Sequence, residues 1–223
     1  MFVGHYAAGL ALKSVDNRVS LGWLFLGVQF VDILFFPFAL LGIERFQFIP
    51  HYTASTHFFL EYMPYTHSLL SAFIWAGLTF AAALVLWSGK GHKRRMAAVV
   101  ALAVLSHWFL DLLVHTPDLP LLGDDSLKLG FGLWNNALLT YGLEALLLLG
   151  GLYLYMKSTR GEKGLARYGI PLFVVLMLGA NIINIFGPVS PDETAAGIAT
   201  SALAAYFVFA ALAFYLDSRR SPR

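Results

Sequence analysis

Six long apolar stretches dominate the chain: Leu21–Ile43, His67–Ser88, Met96–Val114, Gly132–Met156, Tyr168–Gly187 and Thr194–Leu216. Each approaches or exceeds the ~20 residues a helix needs to cross a bilayer. The runs are continuous rather than alternating, and far too long for the strands of a membrane barrel. Three of them contain no Asp, Glu, Lys or Arg. The first admits only Asp32, the third only Asp111 and the fourth only Glu144. Ahead of them, Met1–Leu12 is apolar but too short to span, and Lys13 follows it rather than precedes it, unlike the basic start of a signal peptide. The pattern predicts an all-α integral membrane protein. It is a single domain of six transmembrane helices with a short N-terminal re-entrant or in-plane helix.

Composition sharpens this picture. Hydrophobic residues make up 58% of the chain and charged residues 13%, about half the ~25% of a soluble domain. A soluble enzyme and a disordered chain are both excluded. The formal net charge of +2 and the lack of a basic stripe speak against a nucleic-acid partner. With no cysteine, thiolate metal sites and disulfides are excluded, and histidine is the strongest soft-metal ligand left.

The loops predict an orientation. Thirteen of the 15 Lys and Arg residues fall in the N-terminal segment, the second and fourth loops and the C-terminal tail. By the positive-inside rule both termini are then cytoplasmic, in an inner or plasma membrane. Ser126 and Ser190 are expected outside and Ser158 inside. The outer loop Glu44–Thr66 carries seven aromatics together with His51 and His57. Aromatics gather at headgroup level, so this loop is expected to lie on the outer leaflet.

Ionisable side chains at membrane depth mark functional sites by default. At 1.5 Å per residue, Asp32 lies roughly 16 Å, His107 roughly 12 Å, Asp111 about 6 Å and Glu144 about 18 Å below the outer ends of their spans. His67 opens the second span, while His115 and Asp118 close the third. The inner half-spans hold no such residue. In the third span His107, Asp111 and His115 recur at i, i+4 and i+8, which stacks them on one helix face. An imidazole and a carboxylate one turn apart can share a metal ion, or the carboxylate can orient the imidazole. A purely structural pairing is the plain alternative, as is helix-packing glue between Asp32, Glu144, Asn181 and Asn184. Asn181 and Asn184, at i and i+3, are placed to face the same cavity. His5 reaches the cluster only if its segment is re-entrant. His51 and His57 are expected to be solvated, and His92 is given no role.

Three motifs together resemble a known family: the opening His5-Tyr6-Ala7-Ala8-Gly9, the Thr66-His67-Ser68 that starts a span, and His107-x-x-x-Asp111 late in the next. The resemblance is to the LexA-binding, inner-membrane-associated hydrolases, also described as membrane-bound metal-dependent hydrolases, and covers about the first 120 residues. Where that family carries Pro-Asp-x-Asp, this chain has Gln29-Phe30-Val31-Asp32. Where it carries His-Arg before Thr-His-Ser, Tyr62 and Met63 stand here. The resemblance implies a metal-dependent hydrolase and names no substrate.

From the residues, the expected metal ligands are His67, His107, Asp111 and Asp32, with His115 and His5 as further candidates. Glu144 or Asp118 would act as general base. The metal would be a divalent ion, Zn²⁺ first, with Mn²⁺ or Mg²⁺ as alternatives, and the substrate a lipid or lipid-linked ester or phosphoester. Translocation of protons or metal ions along the same polar cluster is the competing function. A haem or quinone protein with His67 and His107 as axial ligands is a third.

Overall fold

The structure, a computed structural model, describes residues 1–189 and 193–223. It is an all-α helical membrane bundle with three small β-pairs at its ends. Among the described residues, five helices are long and apolar enough to cross a membrane: α5 (Leu69–Leu86), α6 (Lys93–Val114), α7 (Ala137–Ser158), α8 (Gly164–Phe186) and α9 (Ala195–Asp217). The expected first span is broken into α2 (Leu21–Val28) and α3 (Phe30–Leu40), which meet at a 46° bend and count together as a sixth. The uniform apolarity of this stretch concealed the break at Gln29. Ser190 lies outside the described residues.

The N-terminal helix α1 (Gly4–Val15) is central. Val3, Tyr6 and Leu10 have no exposed surface, so α1 is inserted among the other helices of the bundle. Twelve residues at 1.5 Å each give about 18 Å, roughly half a ~30 Å hydrocarbon core. Glycine makes its seat on α7 possible. A Cβ at Gly151 would stand 2.5 Å from the Ala7 carbonyl oxygen, so no larger residue fits there without moving backbone.

Two large apolar clusters, with a small third one of Val31, Ala76 and Val104, hold the bundle. One packs Tyr6, Leu10, Leu24, Phe25, Leu148, Ile170 and Met177 around α1. The other packs Phe35, Phe36, Met63, Trp108, Leu119, Ile198 and Tyr206 at the opposite end. Beyond the first cluster the expectation of wholly apolar inner halves fails. Lys13 Nζ lies 2.8 Å from Asp217 Oδ2, and Asp217 also accepts from Tyr155 Oη (2.9 Å) and the Leu21 N–H (2.9 Å). Lys13 and Asp217 sit at helix ends that read as loop in the sequence, yet both are buried. Nearby, Arg18 forks onto Asp16 at 2.6 and 2.7 Å, and these hydrogen bonds hold the Asp16 carboxyl below its usual range.

The aromatic loop is an ordered hairpin. β1 (Arg45–Phe48) pairs antiparallel with β2 (Phe58–Tyr62), and the hairpin folds over one end of the bundle. Phe46 and Phe58 pack on the second cluster. At the tip, Ser55 Oγ donates to the Trp134 carbonyl at 2.9 Å and lies 3.2 Å from Thr140 Oγ1. The loop is a cover, because its hydroxyls and rings find partners inside. Two short pairs complete the ends: β3 (Leu119–Pro120) with β4 (Lys128–Leu129), and β5 (Thr159–Arg160) with β6 (Ser221–Pro222). A turn of helix, α4 (Pro64–His67), precedes α5, and a 3-10 turn (Leu133–Asn135) precedes α7.

Candidate metal centre

The cluster is assembled from helix ends. His5 lies in the first turn of α1, Asp32 three residues past the α2/α3 break, His67 at the last residue of α4, and His115 at the C-cap of α6. Only His107 and Asp111 come from a helix interior. Ends and breaks leave backbone groups without helical partners. At membrane depth they are tolerated only where buried in protein or lining a cavity, and that is where these sit.

Three imidazoles are oriented by the same device. His107 Nδ1 donates to the Val28 carbonyl at 2.6 Å, a carbonyl freed where α2 ends. His115 Nδ1 donates to Asp118 Oδ1 at 2.8 Å. For His67 the partner is the Thr66 hydroxyl, 2.7 Å from Nδ1. That hydroxyl donates to Glu44 Oε2 at 2.7 Å, so it must accept from His67. With each Nδ1 carrying the proton, each Nε2 of a neutral ring presents a lone pair. Tying Nδ1–H to an outside acceptor is the usual way a ligating imidazole is held.

The three lone pairs converge on carboxylates. His67 Nε2 is 3.2 Å and His107 Nε2 3.6 Å from Asp32 Oδ1. Asp111 Oδ2 lies 3.0 Å from His107 Nε2, 3.6 Å from His115 Nε2 and 4.0 Å from His67 Nε2. Its other oxygen is 3.1 Å from His5 Nε2 and 2.7 Å from the α-amino group of Met1. The His5 and His107 rings stack with centroids 3.7 Å apart. Lone pairs facing anionic oxygens at such distances repel unless a cation or a proton stands between them. Consistent with that, neither His107 Nε2 nor His5 Nε2 makes a hydrogen bond, although both are fully buried. Two sets of ligand atoms, His5/His107/Asp111 and Asp32/His67/His107, lie mutually within 4.8 Å. These buried His and Asp groups could hold a metal ion.

The remaining candidates divide. Asp118 is occupied as an orienting group, since its second oxygen accepts from Thr116 Oγ1 at 2.8 Å. Glu144 Oε2 accepts from the Phe2 and Gly4 N–H groups at 3.1 and 2.9 Å, so this carboxylate anchors the start of α1. Asn181 is buried against the same oxygen, with Nδ2 at 3.5 Å, whereas Asn184 stands exposed at the rim of the cavity. His51 is exposed, and its N–H donates to His57 Nδ1 at 2.9 Å. His57 faces the cavity instead of solvent alone, and burial lowers its pKa.

Glu44 is the residue that sequence reasoning missed. It is fully buried and accepts from the Tyr65 and Thr66 N–H groups (2.8 and 3.0 Å) as well as from the Thr66 hydroxyl. Burial pushes its carboxyl above the ordinary range, and these donors and His67 oppose that push. Nothing in the sequence marks it, because its partner lies 22 residues away across the hairpin. Tyr206 was missed as well; its hydroxyl donates to Asp32 Oδ2 at 3.1 Å.

The centre forms the floor of a cavity of about 700 Å³. Asp32, His67, Asp111, His115 and Glu144 line its closed end, the hairpin tip covers it, and α8 and α9 form its far wall. No known protein family, curated protein or solved structure matches the chain.

Proposed function

We propose that this protein is a metal-dependent membrane hydrolase acting on an ester or phosphoester that resides in the outer leaflet. One observation carries the reading: three imidazoles with Nδ1 tied outward and with Nε2 aimed at Asp32 and Asp111, two of them, His67 and His115, at the floor of a cavity large enough for a substrate and His107 beneath it. The family resemblance of the opening, Thr-His-Ser and His-x-x-x-Asp motifs points the same way.

His67, His107, His115, Asp32 and Asp111 would hold the ion, with His5 completing the set on the α1 side. A divalent ion of the Zn²⁺ or Mn²⁺ kind supplies Lewis acidity and a nucleophile at neutral pH. The chain does the rest. Glu44 through Thr66, the Val28 carbonyl and Asp118 keep the three rings in one tautomer. Tyr206 holds Asp32 in place. Glu144 lines the same cavity, and the contacts that tie it run to Oε2. Its Oε1 is the proposed proton acceptor, a role that desolvated carboxylates fill well.

Ion translocation is the weaker reading for a specific reason. Between the centre and the Lys13–Asp217 pair lie Leu10, Leu24, Phe25 and Val28, all buried, and the polar groups among them, the Tyr6 hydroxyl and the Gln29 amide, include no acid or base to relay an ion onward.

The test is turnover by purified protein in nanodiscs, measured on a panel of lipid phosphates and carboxylic esters. A chelator should abolish it, Zn²⁺ or Mn²⁺ should restore it, and Glu144→Gln should lower kcat with metal retained. Metal or proton flux in proteoliposomes, lost in Asp32→Asn with every lipid intact, would overturn the assignment.

A further inference from the structure

The far wall of the cavity suggests what the substrate's apolar part must be. On α9 the lining positions Ile198, Ser201, Ala202, Ala205 and Phe209 recur at helical spacing, forming one face of the helix. Ser201, Ala202 and Ala205 are small and leave a slot between Ile198 and the rings of Tyr206 and Phe209, which line the same cavity. On α8, Ile183 lines the cavity while 72% of its surface stays exposed, so this rim opens sideways, toward where the bilayer would be. The hairpin closes the top. Access is therefore lateral.

Polarity is graded along this cavity. The metal-ligating side chains are at one end, and the α9 slot is apolar at the other. Among the described residues no Lys or Arg lines it, whereas Asp32, Asp111, Glu144 and Glu193 do, and the Met1 ammonium at its wall is paired with Asp111 at 2.7 Å. With that ammonium already paired, an anionic head is drawn in chiefly by the divalent ion. A cavity of about 700 Å³ has room for a headgroup and at least one chain, and its open side leaves any second chain in the bilayer.

We propose that the site takes a lipid with a phosphate head, entering sideways between α8 and α9, one chain in the Ala202–Ala205 slot and its phosphate at the metal centre. The inference rests on the hydrolase reading for what happens at the head, but its binding step can be measured without turnover.

The probe is dodecylphosphonate carrying a diazirine at the chain end, which hydrolysis cannot consume. It is placed at low mole fraction in zwitterionic nanodiscs holding the full chain and Mn²⁺, and adducts are mapped by mass spectrometry. Adducts should concentrate at Ala202, Ala205 and Phe209 over the outward-facing Phe207 and Val208. Ala205→Trp, or the milder Ala205→Met if tryptophan disturbs folding, should lower them on the order of tenfold with metal content unchanged. Chelation should lower them too. A diazirine alkanol should label the slot no more than Phe207, and inorganic phosphate should compete far less well than unlabelled dodecylphosphonate. Uniform labelling of α9, indifferent to Ala205→Trp and to chelator, would overturn the inference. Slot labelling without turnover of any lipid would leave it standing while sinking the hydrolase reading, and turnover without slot labelling would do the reverse.

Discussion

His67 Nε2 stands 3.2 Å from Asp32 Oδ1, and each residue belongs to a break in a different helical run. Asp32 follows the bend at Gln29, and His67 ends the turn that stops at Ser68, the residue that caps α5 by accepting from the Ser71 N–H at 3.0 Å. Two interruptions thus face each other at the floor of one cavity. Interrupted membrane helices gather polar groups this way because the freed backbone must be satisfied within protein. Here the Val28 carbonyl released by one break orients His107, and the Trp108 indole N–H donates to the His67 carbonyl at the other, at 3.1 Å.

Metal content tests the ligand set directly. His67→Ala, His107→Ala and Asp111→Ala should each lose the bound divalent ion in detergent-purified protein, because each removes an atom on which the centre converges. His92→Ala, at the other end of α6, should keep it. Retention of full metal in all three would reduce the cluster to a packing device. An optical spectrum of the same samples would expose haem.

Glu44→Gln makes a sharper demand. The amide oxygen should stay with the Tyr65 and Thr66 N–H donors, which turns the amide NH₂ toward the Thr66 hydroxyl. That hydroxyl would then have to donate to His67 Nδ1, moving the ring proton to Nε2 and removing the lone pair. A loss of 10–100-fold in metal affinity is expected, the usual size for an outer partner of a ligand. Thr66→Ser with Glu44 in place keeps the hydroxyl and should retain near-normal affinity. Equal affinity in wild type and Glu44→Gln, read by competition with a chelator, would show that the relay does not set the tautomer.

Much of this was legible in the sequence, and the limits have physical causes. Helical spacing alone put His107, Asp111 and His115 on one face, since i, i+4 and i+8 are fixed by helix geometry. Acids inside apolar runs flagged Asp32 and Glu144, because a bilayer tolerates few of them. The role of Glu144 was hidden: nothing local says that its carboxylate meets the N–H groups of Phe2 and Gly4. Glu44 was hidden for the same reason, and sat in a loop where an acid needs no explanation. The break at Gln29 left no Pro or charge to read. The inner contacts of the aromatic loop were hidden because rings suited to headgroups are equally suited to packing on Phe35 and Phe36.

Lys13 and Asp217 are buried together with Tyr155. Removing one member of a buried pair strands the other, at a cost of about 3–5 kcal/mol, whereas replacing both by apolar residues is often neutral. Asp217→Ala should therefore lower thermal stability strongly in detergent, and Lys13→Met/Asp217→Leu should recover most of the loss. Metal affinity in the double variant should be unchanged, since the pair lies at the opposite end of α1 from His5. If the double variant is no more stable than Asp217→Ala, the pair's worth lies in the hydrogen bonds to Leu21 and Tyr155.

Orientation can be read with single cysteines, because the chain has none of its own. A cysteine at Ser126 should react with an impermeant maleimide in intact cells, and one at Ser158 only after lysis. The reverse pattern would put the cavity mouth on the cytoplasmic side and move the substrate to the inner leaflet.

The seat of α1 on α7 gives the last test, with its own control on the same helix. A Cβ at Gly151 would meet the Ala7 backbone at 2.5 Å, whereas one at the neighbouring Gly150 meets nothing within 4 Å. Gly151→Ala must push α1 away, at a cost of roughly 1–3 kcal/mol for overpacking. Gly150→Ala removes a flexible residue from a helix interior and should gain about 0.5–1 kcal/mol. Because His5 rides on α1 and its Nε2 is only 3.1 Å from Asp111, a shift of a few tenths of an ångström is felt at the centre. Gly151→Ala should thus weaken metal binding as well as lower Tm, while Gly150→Ala should leave binding untouched. A Gly151→Ala variant that loses stability but binds metal as the wild type does would remove His5 from the ligand set and leave His67, His107, His115, Asp32 and Asp111 to hold the ion alone.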